Sequence, residues 1–233
     1  MLTVYHGSDH VIKEPVYLGG KVDNDYGNGF YTTEYENRAR SWASLNGNPE
    51  KSVVNVYQID TEDLKIMNLH DYGILSWIAE VIANRGMNQE MTSFLGEKIV
   101  EAYRIDSSSY DIIKGYRADD SYTQVIEAFL LNQINTSEVE RLFYKGSLGN
   151  QIFLKSRKAF DCIHWTDAYE VSPREEDAQS DIKARREVNR FLSGRTKSIL
   201  LEGFQVPGIT AQYAVQNRMV YIKEGNCYEK TCI

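Results

Sequence analysis

The chain is poor in the features that mark secreted, metal-bound and membrane-spanning proteins. It has three cysteines, Cys162, Cys227 and Cys232, in 233 residues, too few for a disulfide framework. Cys227 and Cys232 lack the His or Cys companions of a zinc site, so no metal is expected. Reduced thiols in the cytoplasm are the expectation. The start, Met1-Leu-Thr-Val-Tyr-His6, has no basic stretch followed by an apolar run, so no secretory signal is read there. No run approaches the ~18 apolar residues of a membrane helix, and no membrane partner is expected. Positive charge is also short. The net charge of −7 disfavours tight, non-specific binding of nucleic acid, while leaving room for a local basic groove. No G-x-G-x-x-G lies between a strand and a helix pattern. Gly27-x-Gly29 is followed by a strand, which weakens any doubly wound dinucleotide-binding reading. Internal repeats and low-complexity tracts are absent.

Aromatic residues are abundant: 16 Tyr, 8 Phe and 3 Trp. Such a supply suits half-buried strands and pockets that stack flat ligands. Hydrophobic residues at 42% and charged residues at 25% describe an ordinary globular chain, long enough for a sizeable core.

Strands are predicted at 2–6, 30–33, 52–59, 64–69, 110–115, 151–155, 159–165, 199–201 and 219–222. Helices are predicted at 36–45, 72–84, 91–103, from 120 or 121 to 131, from 136 or 137, and at 177–192. Asp71 is the expected cap of the second helix. Glu140 is expected to complete a capping box with Thr136 or Ser137. Gly146-Ser-Leu-Gly149 breaks the chain. The order does not alternate strand and helix, which favours α+β over α/β.

Four pieces carry chemistry. Tyr5-His6-Gly7-Ser8 ends the first strand. A histidine there can hydrogen-bond a sugar hydroxyl, and the glycine lets a ligand approach the main chain. Gly27-Asn-Gly-Phe-Tyr31-Thr32 bends tightly into a strand with adjacent aromatics. Trp42 sits on the following helix, so that Tyr31 and Trp42 could sandwich a flat heterocycle. Alone, a strand-end histidine is more often structural, and two such aromatics read equally well as core. The fourth, Gly149-Asn150-Gln151, opens a late apolar strand with a polar residue.

In this order the pieces resemble the ADP-ribosyltransferase superfamily, in its diphtheria-toxin and poly(ADP-ribose) polymerase branch. More narrowly, the chain resembles a bacterial family grouped as DUF3990. That likeness rests on Tyr5-His-Gly-Ser-Asp9, Asp25-Tyr-Gly-Asn-Gly-Phe-Tyr31, Gly115-Tyr-Arg-Ala-Asp-Asp-Ser-Tyr122 and Leu154-Lys-Ser-x-Lys-Ala-Phe160.

The resemblance implies a split β-sandwich with flanking helices, with an NAD-binding domain over 1–165. Residues 166–233 would form a charged helix and strand extension packed on it. It implies NAD as co-substrate, held by His6, Gly7, Ser8, Tyr31, Thr32 and Trp42. The implied activity is mono-ADP-ribosyl transfer to a protein or nucleic-acid acceptor, as a bacterial toxin with an antitoxin partner or as a defence protein.

Gln151 stands where that branch has Glu. It can make the hydrogen bond to a ribose hydroxyl but brings no charge. Three readings follow. Another carboxylate serves, Asp119 or Asp120 being the candidates. Or the acceptor is already nucleophilic. Or the pocket binds NAD without turnover. NAD glycohydrolysis and a plain interaction domain with aromatic core are the remaining alternatives.

Overall fold

A computed structural model describes residues 1–46, 52–87, 90–118, 120–145, 150–172, 175–217, 219–222 and 227–230. The strands are β1 (Leu2–Ser8), β2 (Phe30–Thr32), β3 (Val53–Ile59), β4 (Ile66–Asn68), β5 (Ile112–Tyr116), β6 (Asn150–Leu154), β7 (Ile163–Glu170), β8 (Met219–Ile222) and β9 (Cys227–Lys230). The helices are α1 (Glu36–Asn46), α2 (Gly73–Arg85), α3 (Glu90–Tyr103), α4 (Asp120–Leu130), α5 (Thr136–Lys145), α6 (Arg157–Asp161), α7 (Glu175–Glu202) and α8 (Ala211–Asn217). The class is α+β.

Two sheets make the body. One has the order β1-β3-β7, antiparallel throughout. The other has the order β2-β6-β5-β4, with only β4 and β5 parallel. They face each other across a core to which Val4, Tyr57 and Ile163 come from the first sheet and Phe30, Ile112, Ile152 and Leu154 from the second. The outer face of the second sheet carries a larger core, where Ile113 and Phe153 meet α2, α4 and α5. On the outer face of the first sheet, α1 lies on β1 and β3 through Ala39, Ala43 and Val54. Small residues at i and i+4 let the helix come close. β8 and β9 pair antiparallel.

Local chemistry corrects several expected boundaries. Asp71 does not cap α2: it lies in a 3-10 turn at Leu69–Tyr72, and α2 begins at Gly73 without a side-chain cap. The capping box of α5 sits two residues before the Ser137–Glu140 pairing expected. The Glu138 N–H donates to Asn135 Oδ1 (2.9 Å) and the Asn135 N–H to Glu138 Oε2 (3.1 Å), so Glu140 has no part in it. The run expected as a strand at 159–165 starts as helix, because Ser156 Oγ accepts the Ala159 N–H and nucleates α6. Ile199-Leu-Leu201 is not a strand but the last turns of α7, which runs through Gly194. The break expected at Gly146–Gly149 lies outside the described residues. β7 spans the 165/166 boundary, while α7 packs on α1 and α4. Among the described residues, no helix is long and apolar enough to cross a membrane.

Candidate functional site

Among the described residues, β1 meets the end of β2 main chain to main chain at one bridge, Tyr5 to Thr33. The Tyr5 N–H donates to the Thr33 carbonyl (2.8 Å) and the Thr33 N–H to the Tyr5 carbonyl (2.9 Å). These groups of β1 therefore point away from β3. The alternation of an antiparallel strand sends the N–H and C=O of Gly7 to the same edge. Opposite Gly7, by the same count, stands Tyr31.

His6 holds this edge. Its Nδ1 lies 2.7 Å from the Tyr31 carbonyl. A carbonyl can only accept, so Nδ1 carries the proton and Nε2 keeps its lone pair for a hydroxyl donor. The ring packs against Phe30 with centroids 4.6 Å apart. Burial pushes the His6 pKa below its ordinary value, against a smaller upward pull from the bond to Tyr31. The imidazole is thus neutral at neutral pH. Beside it opens a cleft of about 550 Å³, lined by His6, Ile12, Pro15, Asn24, Phe30 and Tyr31 among others, within the range of small-molecule sites.

Gly7 also has a second, purely structural reason to be glycine. A Cβ there would stand 1.9 Å from the Ala39 carbonyl oxygen and 2.6 Å from the Ala43 nitrogen of α1. The strand and helix approach so closely that no side chain fits between them.

The Tyr31 side chain leaves β2 on the opposite face from Phe30. Its hydroxyl donates to the Gly27 carbonyl (2.8 Å) and accepts the Tyr26 N–H (3.0 Å), closing the 26–31 loop. Gly27, with φ at +88°, makes that turn at no steric cost. The Tyr31 ring rests on Phe153, centroids 4.7 Å apart. Trp42 is 6% exposed, and the Arg117 guanidinium lies 5.4 Å from its ring centroid. No ring contact joins Tyr31 to Trp42. The Trp42 Nε1 is buried without a hydrogen-bond partner among the described residues.

Gln151 shares the Tyr31 face and is the centre of a buried polar cluster. Its Nε2 donates to Asp25 Oδ2 (2.5 Å) and to the Tyr116 carbonyl (3.3 Å). Asp25 also accepts the Ala118 N–H (2.8 Å) and pairs with Arg85, Nε to Oδ1 2.7 Å. Tyr26 Oη donates to the Tyr116 carbonyl (2.5 Å) and accepts the Trp77 indole N–H (3.0 Å). Burial pushes the Asp25 carboxyl above its ordinary range, while Arg85, the Ala118 N–H, Gln151 and Arg117 pull it back. Burial likewise raises the Tyr26 and Tyr31 hydroxyls, which stay protonated donors.

The residues singled out in the sequence thus divide. His6, Gly7 and Tyr31 meet at the opening between the sheets. Gln151 lies on the Tyr31 side, and Trp42 packs against Arg117, whose charge acts on Asp25. Ser8 is committed elsewhere: its hydroxyl donates to the His10 carbonyl (2.6 Å) and accepts from Asn55 Nδ2 (2.9 Å), shaping the 8–12 loop. Thr32 is fully buried and donates to the Ile152 carbonyl (3.1 Å). Asp119 lies outside the described residues. Asp120 is the first residue of α4. The carboxylate beside Gln151 is Asp25, a residue to which no sequence pattern assigns a role. A lone Asp in a Gly- and Asn-rich loop looks like a turn former.

The family described as "Protein of unknown function (DUF3990)" matches residues 2–165. That is more than half of the chain, and the chain belongs to this family. No curated protein and no solved structure matches it.

Proposed function

We propose that this DUF3990 protein binds NAD at the opening between its two sheets and transfers ADP-ribose to a macromolecular acceptor. The observation that carries the reading is the His6–Tyr31 hydrogen bond at 2.7 Å. It pins the two sheets where they part and leaves Nε2 as an acceptor for a ribose hydroxyl. In this reading the likeness to ADP-ribosyltransferases extends to the fold, the two sheets forming the split β-sandwich of that superfamily. The 550 Å³ cleft beside His6 takes the adenosine half of NAD. The nicotinamide carboxamide meets the N–H and C=O of Gly7, and the ring lies between Tyr31 and Trp42. Gln151 faces the ribose.

The reaction breaks the bond between ribose C1′ and the nicotinamide nitrogen, and the electron pair leaves on nicotinamide. An acceptor nucleophile bonds to C1′ and releases its proton to solvent. The pocket's work is to orient the dinucleotide and to stabilise positive charge on the ribose. A second reading, NAD binding without turnover, draws on Gln151, an uncharged amide where an anion would best stabilise that cation.

Calorimetry with NAD, together with nicotinamide release measured with and without cell extract, tests both. Transfer predicts binding and extract-dependent release, both lost in His6→Ala. Binding without release favours the second reading, release without extract favours NAD glycohydrolysis, and no binding by the wild type overturns all three.

A further inference from the structure

The site holds a carboxylate against residue 151, donated from a loop 126 positions earlier. We propose that Asp25 is the positioning residue of this pocket: it pins the Gln151 amide nitrogen inward, turns Oε1 toward the ribose, and makes the Asp25–Gln151 pair act as one anionic unit. The proposal rests on the NAD reading of the same site.

The hydrogen bonds assign the amide. Asp25 Oδ2 and the Tyr116 carbonyl are both acceptors, so the group facing them must be the NH₂. Both of its protons are then used. Oε1 is left on the other side and accepts from no described residue. Asp25 and Gln151 are 3% and 4% exposed, so the contact is shielded from water and rigidly partnered. Hydrogen bonding to a charged acceptor polarises the amide, raising the electron density on Oε1.

The same geometry explains why glutamine serves at 151. A glutamate would put a second carboxylate against Asp25 at hydrogen-bond distance, where two carboxylates cannot both ionise. With glutamine the pair holds at most one negative charge, which Arg85 of α2 meets at 2.7 Å and Arg117 after β5 also favours. Also around it are the Ala118 N–H and the Tyr26 and Tyr31 hydroxyls, and beyond Tyr31 the buried Glu80 carboxylate, which Arg104 pairs at 3.1 Å. A charge swap, Asp25→Asn with Gln151→Glu, keeps one carboxylate and one amide across the contact.

The test is a four-cornered cycle on the full chain: wild type, Gln151→Glu, Asp25→Asn and the swap. Thermal midpoint is followed from pH 5 to 9, and NAD affinity is measured alongside. In Gln151→Glu the paired carboxyls share a proton when folded, so their folded pKa is raised. Stability is retained in acid and lost as pH rises, and NAD affinity falls about tenfold or more between pH 5 and pH 8. The swap abolishes this pH dependence and recovers affinity. Because the swap carries its charge closer to the ribose, nicotinamide release rises more than binding. A Gln151→Glu protein with the stability and pH profile of wild type overturns the pairing. If Asp25→Asn does not fold, the pH profile of Gln151→Glu alone decides. If wild type binds no NAD, the ribosyl reading falls, while the thermal profiles still decide whether Asp25 faces residue 151.

Discussion

The surroundings of His6 and those of Gln151 are built by opposite means. At His6 one neutral side chain caps a main-chain carbonyl, and everything involved lies on β1 and β2. At Gln151 a buried carboxylate, a guanidinium, an amide and two main-chain groups converge from the 25–31 loop, α2, β5 and β6. The first end is cheap to build and easy to perturb. The second costs desolvation and holds only while each member has its partner. Removing a charged partner at the Gln151 end should register first in stability, whereas replacing His6 should register in ligand binding and in the acid limb of stability.

The largest effect is expected at the charged end. Asp25→Asn leaves Arg85 partly buried without its anion, and breaking such a pair costs about 3–5 kcal/mol. The thermal midpoint should fall by roughly 10 °C, given about 2–4 °C per kcal/mol for a chain of this length. A loss within a degree or two would show that Arg85 finds solvent easily and that this end is no more demanding than the other.

Next comes Gly7→Ala. The new Cβ would meet the main chain of α1, which cannot swing aside as a side chain would. Overpacking costs about 1–3 kcal/mol and here the upper end applies. If chemical denaturation shows no loss, α1 is more loosely seated on β1 than the Ala39 and Ala43 contacts indicate.

A smaller effect distinguishes the ends by pH. The His6 pKa is lowered in the folded protein from an ordinary value of 6.5. The unfolded chain then takes up a proton that the folded one resists. The stability involved is fully present above 6.5 and is lost as pH falls toward the folded pKa. His6→Asn should flatten part of that acid slope, measured as the difference in midpoint between pH 7.5 and pH 5. Part will remain, because burial lowers His70 in the same way. An unchanged slope would mean that His6 titrates as if exposed.

The two ends also differed in how much the sequence disclosed. β1, β2 and α1 follow from short-range patterns, and His6, Gly7, Tyr31 and Trp42 all lie within them. Gln151 was located because a polar residue opening an apolar strand is unusual. Asp25 was not found, since no local pattern tells a turn-forming Asp from one that reaches across the fold to residue 151. Asp119 and Asp120 were chosen for following a strand, and position after a strand carries no information about which carboxylate is buried. The secondary structure departs from expectation where local sequence is equally uninformative. Leu200 and Leu201 look like strand residues by composition, but they are 76% and 82% exposed on the end of a helix. Burial never selected between the two states there. The helix at α6 was hidden because a single side-chain cap at Ser156 outweighs the β-rich residues that follow.

The smallest expected change in stability is at Trp42, and it separates a pocket from a core. Its indole N–H is buried and has no partner among the described residues, a situation that costs about 1–3 kcal/mol relative to a satisfied donor. Trp42→Phe removes that cost along with part of the ring's packing, and the two changes oppose each other. The midpoint should therefore move by no more than a few degrees. If Trp42 were ordinary core, NAD affinity would move equally little. If its N–H and ring face the nicotinamide, affinity should fall about tenfold, the loss of one hydrogen bond and part of a stacking surface. Calorimetry on this variant at constant stability thus reads the ligand contribution of Trp42 alone. A Trp42→Phe protein that binds NAD like the wild type would move the nicotinamide away from α1 and leave Tyr31 as its sole aromatic wall.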